Sequence, residues 1–319
     1  MNAALPENHL LFVGPILIGS LFGYFCLGAY FVQLSHYLLN PMEHEKRVIH
    51  VLIVLVTIAE IGGVIIMSQT AWRVLCQADF NPALVLALSH WSTGAPVCYG
   101  SVALLVQCFF AWKIWRLGKE WTWIALSGVI AALALLQFSA SIAIAVQFSL
   151  INRDSLRTAL LRKTVIVQRS GSLACDALIT GSMIWILWSY KTETSIRSTQ
   201  RLLNGLIINT LENGAVTTLF VALSLAFYLS HPNDFLNQAF QQAVGRLYSN
   251  VFMASLNSRI GRYQQTHVHS MNNIANKATT GGHPKRWTKL NPFRKDQEAG
   301  VDDLNVSASI DSDKNPPNV

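Results

Sequence analysis

Long apolar runs alternate with short polar segments over roughly the first 260 residues of the chain. A helix of about 20 apolar residues is long enough to cross the roughly 30 Å hydrocarbon core of a bilayer. The last of these runs is the least hydrophobic. The pattern predicts an all-α, seven-helix transmembrane bundle over residues 1–260. Its helices are expected at residues 10–34, 48–70, 94–116, 121–147, 165–189, 203–230 and 235–258.

The apolar runs stop after about residue 260. Residues 261–319 are rich in Asn, Ser, Thr, Asp, Lys and Pro, and such a composition buries too little surface to order a chain. We therefore expect a disordered cytoplasmic tail. Within it, "KRWTKLNPFRK" surrounds two aromatic residues with basic ones, a pattern that attracts anionic inner-leaflet lipids; a solvated charge run is the alternative. The basic residues are Lys285, Arg286, Lys289, Arg294 and Lys295.

Composition and charge support a membrane protein. Charged residues make up only 13% of the chain and hydrophobic ones 51%, whereas a soluble domain is about a quarter charged. The net charge of +7 comes from short basic clusters between apolar runs. Such clusters are typical of membrane topology signals, so the expected partner is a lipid bilayer and nucleic acid is not expected. The sequence therefore predicts an integral, multi-pass membrane protein, and the alternation of apolar runs and basic clusters is the same for plasma membranes and internal membranes.

The basic residues also predict an orientation, because cationic loops are retained in the cytoplasm. With the N-terminus outside, the cytoplasmic side collects Lys46, Arg47 and the basic C-terminal segment. The loop that contains Arg153 and Arg157 opposes this rule. An inverted orientation, or an even number of spans, is the alternative.

Two of the five cysteines, Cys76 and Cys98, fall near one predicted membrane face. An extracellular disulfide between them would tie the second loop to the third helix. The alternative is that both remain free.

Ionisable residues inside the predicted spans are the main candidates for function, because an unpaired charge at the centre of a membrane helix costs about 3 kcal/mol or more. Glu60, Asp176, Glu212 and Arg246 occupy similar depths. Removing one member of a buried ion pair strands the other, so Arg246 is expected to pair with Asp176 or Glu212.

Helical spacing groups further polar residues with these charges. The stripe on the last helix is expected to point inward. Polar residues that only hold helices together are the alternative to a ligand-binding or ion-binding centre. The resulting candidates are Glu60, Asp176, Thr180, Glu212, Asn213, Gln242, Arg246, Ser249 and Asn250.

Four segments, "VQCFFAWKIW", "CDALIT", "LENGAVTTLF" and "LYSNVFMASLNSR", occur in that order. Together they resemble multi-spanning membrane proteins of mushroom-forming fungi that are classified only as a domain of unknown function. The resemblance covers roughly residues 12–260. Lys113 stands where an Arg is usual, and the second span with Glu60 fits the pattern poorly. The resemblance implies the architecture and a fungal origin, no activity, and motif positions for Gln107, Asp176, Glu212, Gly214 and Thr217.

Seven spans with a polar centre and a basic tail predict a receptor-like sensor for an unknown small ligand. The chain lacks the Asp-Arg-Tyr and Asn-Pro-x-x-Tyr motifs of the largest receptor class, and it lacks a lysine in the last span for retinal. A transporter or channel for a small solute or a proton is the alternative, because membrane-embedded charges also serve such pathways.

An intramembrane enzyme is the third hypothesis and the least favoured. Zinc hydrolases of the membrane need several embedded His residues, whereas the nine His of this chain lie at span edges, in loops or in the tail. The motifs H-E-x-x-H, G-x-S-x-G and paired C-x-x-C are absent from the sequence. The prediction is therefore no enzyme, no metal and no cofactor.

Overall fold

A computed structural model describes residues 10–40, 46–77, 90–118, 120–150, 161–194, 197–230 and 236–279. The chain divides into two compact units, residues 1–265 and residues 266–319. Of the second unit, the structure describes only the end of one helix. The described residues contain helices and no strands.

Seven long helices make up the described part of the chain. They are α1 (Leu10–Leu39), α2 (Arg47–Trp72), α3 (Ala95–Leu117), α4 (Trp121–Leu150), α5 (Arg162–Glu193), α6 (Arg197–Ser230) and α7 (Leu236–Thr279). A π-helical turn, Arg73–Gln77, continues α2, and a 3-10 turn, His90–Gly94, precedes α3. Each helix covers one of the predicted segments, to within one residue at its amino end, and extends beyond it at one or both ends. Turns with polar residues continue the helices past the apolar runs.

Six of the seven helices, α1 to α6, are long and apolar enough to cross a membrane. Their outward faces carry large apolar side chains such as Phe25, Val32 and Ile58. Hydroxyl groups on these helices donate to the carbonyl one turn back, as in Thr57 Oγ1 to the Ile53 oxygen at 2.7 Å. Such bonds satisfy a polar group where lipid offers no partner. These features indicate a membrane-embedded protein.

The last helix, α7, is the least apolar and the most enclosed. No residue between Leu236 and Ser258 is exposed. Side chains of α7 form hydrogen bonds with α1, α2, α3, α5 and α6. The polar residues between Leu236 and Ser258 are therefore surrounded by protein rather than lipid. The prediction that its polar stripe faces inward understates this burial, because the apolar residues Val244 and Phe252 are buried as well.

Small residues allow two of the close contacts between helices. A Cβ atom added to Gly19 on α1 would lie 2.9 Å from the Cα atom of Ala239 on α7. A Cβ atom added to Gly100 on α3 would lie 2.7 Å from the Ser141 hydroxyl on α4. Glycine at these two positions sets how closely the helix backbones approach.

Helix α7 continues to Thr279, beyond residue 260 at which the sequence places the end of the membrane domain. Residues 280–319 lie outside the described part of the chain. The predicted lipid-binding residues of the tail therefore lie outside it too; they are Lys285, Arg286, Lys289, Arg294 and Lys295.

Candidate functional site

An ion pair between α2 and α7 lies at the centre of the described bundle. Arg246 Nη1 donates to Glu60 Oε2, and each side chain is only 1% exposed. The same nitrogen donates to the backbone oxygen of Glu60 at 3.0 Å. The pair neutralises two charges that neither lipid nor a dry protein interior would tolerate separately.

The guanidinium of Arg246 is held by aromatic and backbone surfaces. It lies over the ring of Tyr99, 5.7 Å from the ring centroid. A Cβ atom at Gly63 would lie 3.3 Å from Arg246 Nη2, so the absence of a side chain at Gly63 makes room for the cation. Among the described residues, Nε and Nη2 of Arg246 have no hydrogen-bond partner.

The predicted partner of Arg246 was wrong. The acid that pairs with Arg246 is Glu60 of α2, not Asp176 or Glu212 of the later helices. Glu212 is exposed on the outward face of α6, together with Leu211 and Val216. The rotation of each helix about its own axis decides whether an acid faces the centre of the bundle or its outer surface. The position of a residue in the sequence gives its depth in the helix and does not reveal that rotation.

A second polar cluster surrounds Asp176 on α5, which is 4% exposed. Tyr248 of α7 donates its hydroxyl proton to Asp176 Oδ2 at 2.6 Å. Gln107 Nε2 of α3 lies 3.4 Å from Asp176 Oδ1 and 3.3 Å from Gln137 Oε1 of α4. The hydroxyls of Ser172 and Tyr248 are 2.8 Å apart. Four helices thus contribute to one hydrogen-bonded layer around Asp176, which we call the Asp176 layer: Gln107, Gln137, Ser172, Asp176 and Tyr248.

A cavity of about 50 Å³ lies on one side of the Asp176 layer, between α3, α5, α6 and α7. Asp176 and Tyr248 line its inner end, and Lys113 and Ser258 line it toward the carboxyl ends of α3 and α7. Lys113 Nζ donates to Ser255 Oγ at 2.9 Å. We call this space the larger cavity. Its other polar lining residues are Gln107, Thr180, Asn209, Thr210, Asn213 and Thr217.

A smaller cavity of about 20 Å³ lies on the opposite side of the layer. Tyr248 and Ser172 line it, and Gln168, Arg169 and Gln241 line it toward the amino ends of α5 and α7. Along α5 and α7 alike, the residues that line the smaller cavity precede the layer and those of the larger cavity follow it. The Asp176 layer therefore separates two cavities that extend toward opposite ends of the bundle.

Arg169 carries the buried charge of the smaller cavity and is 5% exposed. Its Nη1 donates to the Ser224 backbone oxygen at 2.9 Å, and its Nη2 donates to Asn237 Oδ1 at 3.0 Å. Its guanidinium lies 4.6 Å from the ring centroid of Tyr228. Within the described part of the chain no carboxylate lies at salt-bridge distance from Arg169. Asp176 is about 10 Å away along the helix axis, at seven residues of helical rise.

The remaining candidates on α7 lie apart from both cavities, and two of them contact α1. Asn250 Nδ2 donates to the Cys26 oxygen at 2.9 Å, and Asn250 Oδ1 accepts from Gln33 Nε2 at 3.1 Å. Ser249 donates to the backbone of its own helix at 2.9 Å. Gln242 is buried, lies against Gly19, and its Oε1 has no partner among the described residues. Ser249 and Asn250 also donate to the backbone oxygen of Arg246, and none of the three residues lines either cavity.

The predicted disulfide is also wrong. Cys76 and Cys98 are both free thiols in the structure. Cys76 is exposed in the π-helical turn, whereas the sulfur of Cys98 faces α2 near Gly62. The two side chains therefore have different surroundings, although their sequence positions suggest one membrane face.

Six of the predicted residues line the larger cavity: Gln107, Asp176, Thr180, Asn213, Gly214 and Thr217. The structure adds Tyr248 and Lys113 to that lining and Gln137 to the Asp176 layer, and the sequence analysis did not nominate these three. A weak signal existed for Tyr248, since it precedes Ser249 and Asn250 in a polar stretch of the last helix. No signal in the sequence connects Gln137 with Asp176, because the two residues meet only through Gln107.

Comparison with known proteins gives one match. Residues 172–260 match the model of a family of unknown function, DUF6534. The match begins at Ser172 and covers most of α5, all of α6 and the part of α7 that crosses the bundle. It thus contains Asp176, Thr217 and Tyr248, though not Glu60, Gln107 or Gln137. No curated protein and no solved structure matches the chain.

Proposed function

We propose that this protein is a receptor-like membrane sensor that binds a small hydrogen-bonding molecule in the larger cavity. The observation that supports the proposal is the lining of that cavity. A buried carboxylate at one end, an ammonium group at the other and amide and hydroxyl groups between them form a site with few, convergent polar groups on an otherwise apolar wall.

The arrangement of the walls favours a sensor. The larger cavity is lined by α3, α5, α6 and α7, so a ligand there would contact four helices at once. A ligand shifts a conformational equilibrium by its differential affinity for the two states, and packed helices provide such states. Gln107 supports a role of this cavity in binding. Its Oε1 has no hydrogen-bond partner among the described residues, although the residue is only 1% exposed, so this atom is available to a ligand.

Seven membrane spans, with the N-terminus outside and the C-terminus in the cytoplasm, are part of the proposal. Helix α7 would be the seventh span, since α1, α2, α3, α5 and α6 shield its polar side chains from lipid. In this orientation the larger cavity extends toward the cytoplasmic face, where Lys113 and Lys191 add positive charge.

A stability screen tests the proposal. The purified full-length chain is heated in detergent with a panel of small polar and amphipathic compounds. A compound present at 100 times its dissociation constant is expected to stabilise the folded state by about 2.7 kcal/mol. The result that would overturn the proposal is a panel in which no compound changes the unfolding temperature in a way that depends on the larger cavity.

Two adjacent threonines on α6 provide matched variants that test whether stabilisation by a compound depends on the larger cavity. The hydroxyls of Thr217 and Thr218 both donate to the Gly214 oxygen, at 3.0 Å and 2.7 Å, but only Thr217 lines the larger cavity. Thr217→Val should weaken the stabilisation by a cavity ligand, because it removes a hydroxyl without a change in size. Thr218→Val should leave that stabilisation intact.

Transport of a small solute is the second candidate. The specific observation in its favour is the smaller cavity, since two cavities toward opposite ends of a bundle are also what alternating access requires. Flux of a compound that also stabilises the protein, measured in proteoliposomes, would favour transport over sensing.

A further inference from the structure

Three oxygen-bearing side chains connect the two cavities. Ser172 lines the smaller cavity, Asp176 lines the larger one, and Tyr248 lines both. The Tyr248 hydroxyl is 2.8 Å from Ser172 Oγ and 2.6 Å from Asp176 Oδ2. Since Tyr248 donates to Asp176, the Ser172 hydroxyl is left to donate to Tyr248. All three hydrogen-bonded groups therefore point the same way, from the smaller cavity to the larger one.

We infer that Ser172, Tyr248 and Asp176 form a proton relay that carries protons through the bundle between the smaller and the larger cavity. This activity goes beyond the proposed ligand binding and does not depend on it. It requires only water as the proton donor on one side and the proton acceptor on the other.

The relay moves protons without redox chemistry. Asp176 takes the proton of the Tyr248 hydroxyl, Tyr248 takes the proton of Ser172, and Ser172 takes one from a hydronium ion in the smaller cavity. The protonated Asp176 then releases its proton to water in the larger cavity. One proton enters and one leaves, and each hydroxyl rotates back to its starting orientation before the next transfer.

The size of the cavities suits water. A cavity needs a volume of about 10 to 15 Å³ to accommodate one water molecule. The smaller cavity, at about 20 Å³, has room for one, and the larger, at about 50 Å³, has room for a few. Their polar linings supply the two to four hydrogen bonds that a buried water needs. The Asp176 layer itself is closely bonded, so an ion larger than a proton would have to break it.

Few charged or titratable groups face Asp176. Helix α7 presents Tyr248, and α5 presents the neighbouring Cys175 and, two turns away, Arg169. From α3, Lys113 lies at the far end of the larger cavity. Helices α4 and α6 contribute the neutral Gln137 and Thr217. No Lys or Arg in the described ranges is within salt-bridge distance of Asp176, so the carboxylate is not fixed in one charge state by an ion pair.

A proton-flux assay tests the relay. The full-length chain is reconstituted into liposomes of phosphatidylcholine and phosphatidylglycerol that enclose a pH-sensitive dye, and a potassium gradient with valinomycin sets an inside-negative potential. We expect internal acidification faster than in empty liposomes, and slower in D₂O than in H₂O. Acidification no faster than in empty liposomes would overturn the inference.

The tyrosine hydroxyl gives the sharpest variant. Tyr248→Phe keeps the ring and removes only the oxygen that both hydrogen bonds need, so proton flux should fall to the level of empty liposomes. Tyr24→Phe is the matched control, because the Tyr24 hydroxyl bonds Ser68 at 2.8 Å on an exposed face and lines neither cavity. Wild-type flux in Tyr248→Phe would overturn the inference.

A second variant covers the case in which Tyr248→Phe fails to fold. Asp176→Asn has nearly the same shape and cannot accept the Tyr248 proton, so it should also abolish flux; if it retains wild-type flux, the relay is refuted. Thr218→Val is a second control and should keep wild-type proton flux, because Thr218 lines neither cavity. The flux assay contains no small ligand, so a loss of flux in Tyr248→Phe and a loss of ligand stabilisation in Thr217→Val are measured separately.

Discussion

Arg246 and Glu60 lie 186 residues apart in the sequence and form an ion pair in which each side chain is 1% exposed. The pair joins α2, an apolar helix with one acid at its centre, to α7, which is enclosed by the other helices. Each charge on its own would be costly in either lipid or protein, so the two residues depend on each other.

That dependence predicts a non-additive mutant cycle. Glu60→Leu and Arg246→Met should each lower the free energy of unfolding by about 3 to 5 kcal/mol, because each strands the opposite charge. The double variant should recover most of the loss, since it buries two apolar side chains instead. Thermal unfolding of the purified protein in detergent measures all three. Two losses that simply add in the double variant would show that the residues act independently.

The contact between α1 and α7 predicts opposite effects for two glycines of one helix. A Cβ atom at Gly19 would lie 2.7 Å from Gln242 Oε1 and 2.9 Å from the Ala239 Cα atom, whereas one at Gly28 would meet nothing within 4 Å. Gly19→Ala should therefore destabilise the fold by about 1 to 3 kcal/mol through overpacking. Gly28→Ala should be neutral or stabilise by up to about 1 kcal/mol through helix propensity. Equal unfolding temperatures for the two variants would contradict this account of the interface.

The two hydrogen bonds of Arg169 predict a large cost for a lysine at this position. A guanidinium reaches the Ser224 oxygen and Asn237 Oδ1 at once, and an ammonium group cannot reproduce that fork. Arg169→Lys should lower the unfolding free energy by about 1 to 3 kcal/mol, because a buried acceptor loses its partner. Arg162→Lys, at an exposed position of the same helix, is the control and should cost little. If both variants unfold like the wild type, the buried bonds of Arg169 contribute no stability.

The free thiols predict that stability is independent of redox conditions. Reducing agent should not change the unfolding temperature, and the double variant Cys76→Ala and Cys98→Ala should retain it. In native membranes the exposed Cys76 should react with a maleimide more quickly than Cys98, which packs near Gly62. A drop in unfolding temperature with reductant would instead indicate a disulfide.

Because Glu212 faces outward, we expect its replacement by an apolar residue to improve membrane insertion or stability. Replacement of the buried Asp176 should have the opposite effect. An acid facing lipid near the middle of a span costs on the order of 3 kcal/mol, so Glu212→Leu should improve membrane insertion or stability. Asp176→Leu should destabilise the protein, because Tyr248 and Gln107 would lose a buried acceptor. Expression level and unfolding temperature compare the two variants. A strong loss in Glu212→Leu would indicate that this acid contacts another molecule.

Much of the architecture was predictable from the sequence. The seven predicted segments all coincide with long helices, because the length of an apolar run and the spacing of polar residues are local properties of the chain. Asp176, Thr180 and Asn213 were predictable as candidates for the same reason, since an ionisable or amide side chain inside an apolar run is visible without a structure. Glu212 had the same signal and lies outside the centre.

The partners of these residues were decided only by the tertiary structure. The sequence gives the depth of Glu60, Asp176, Glu212 and Arg246 along their helices, but not the direction in which each side chain points or the order in which the helices pack. Those depend on long-range contacts such as Gly19 against Ala239, which set how α7 is rotated inside the bundle. The rotation of the helices and the order in which they pack bring Arg246 into contact with Glu60 and place Tyr248 between the two cavities.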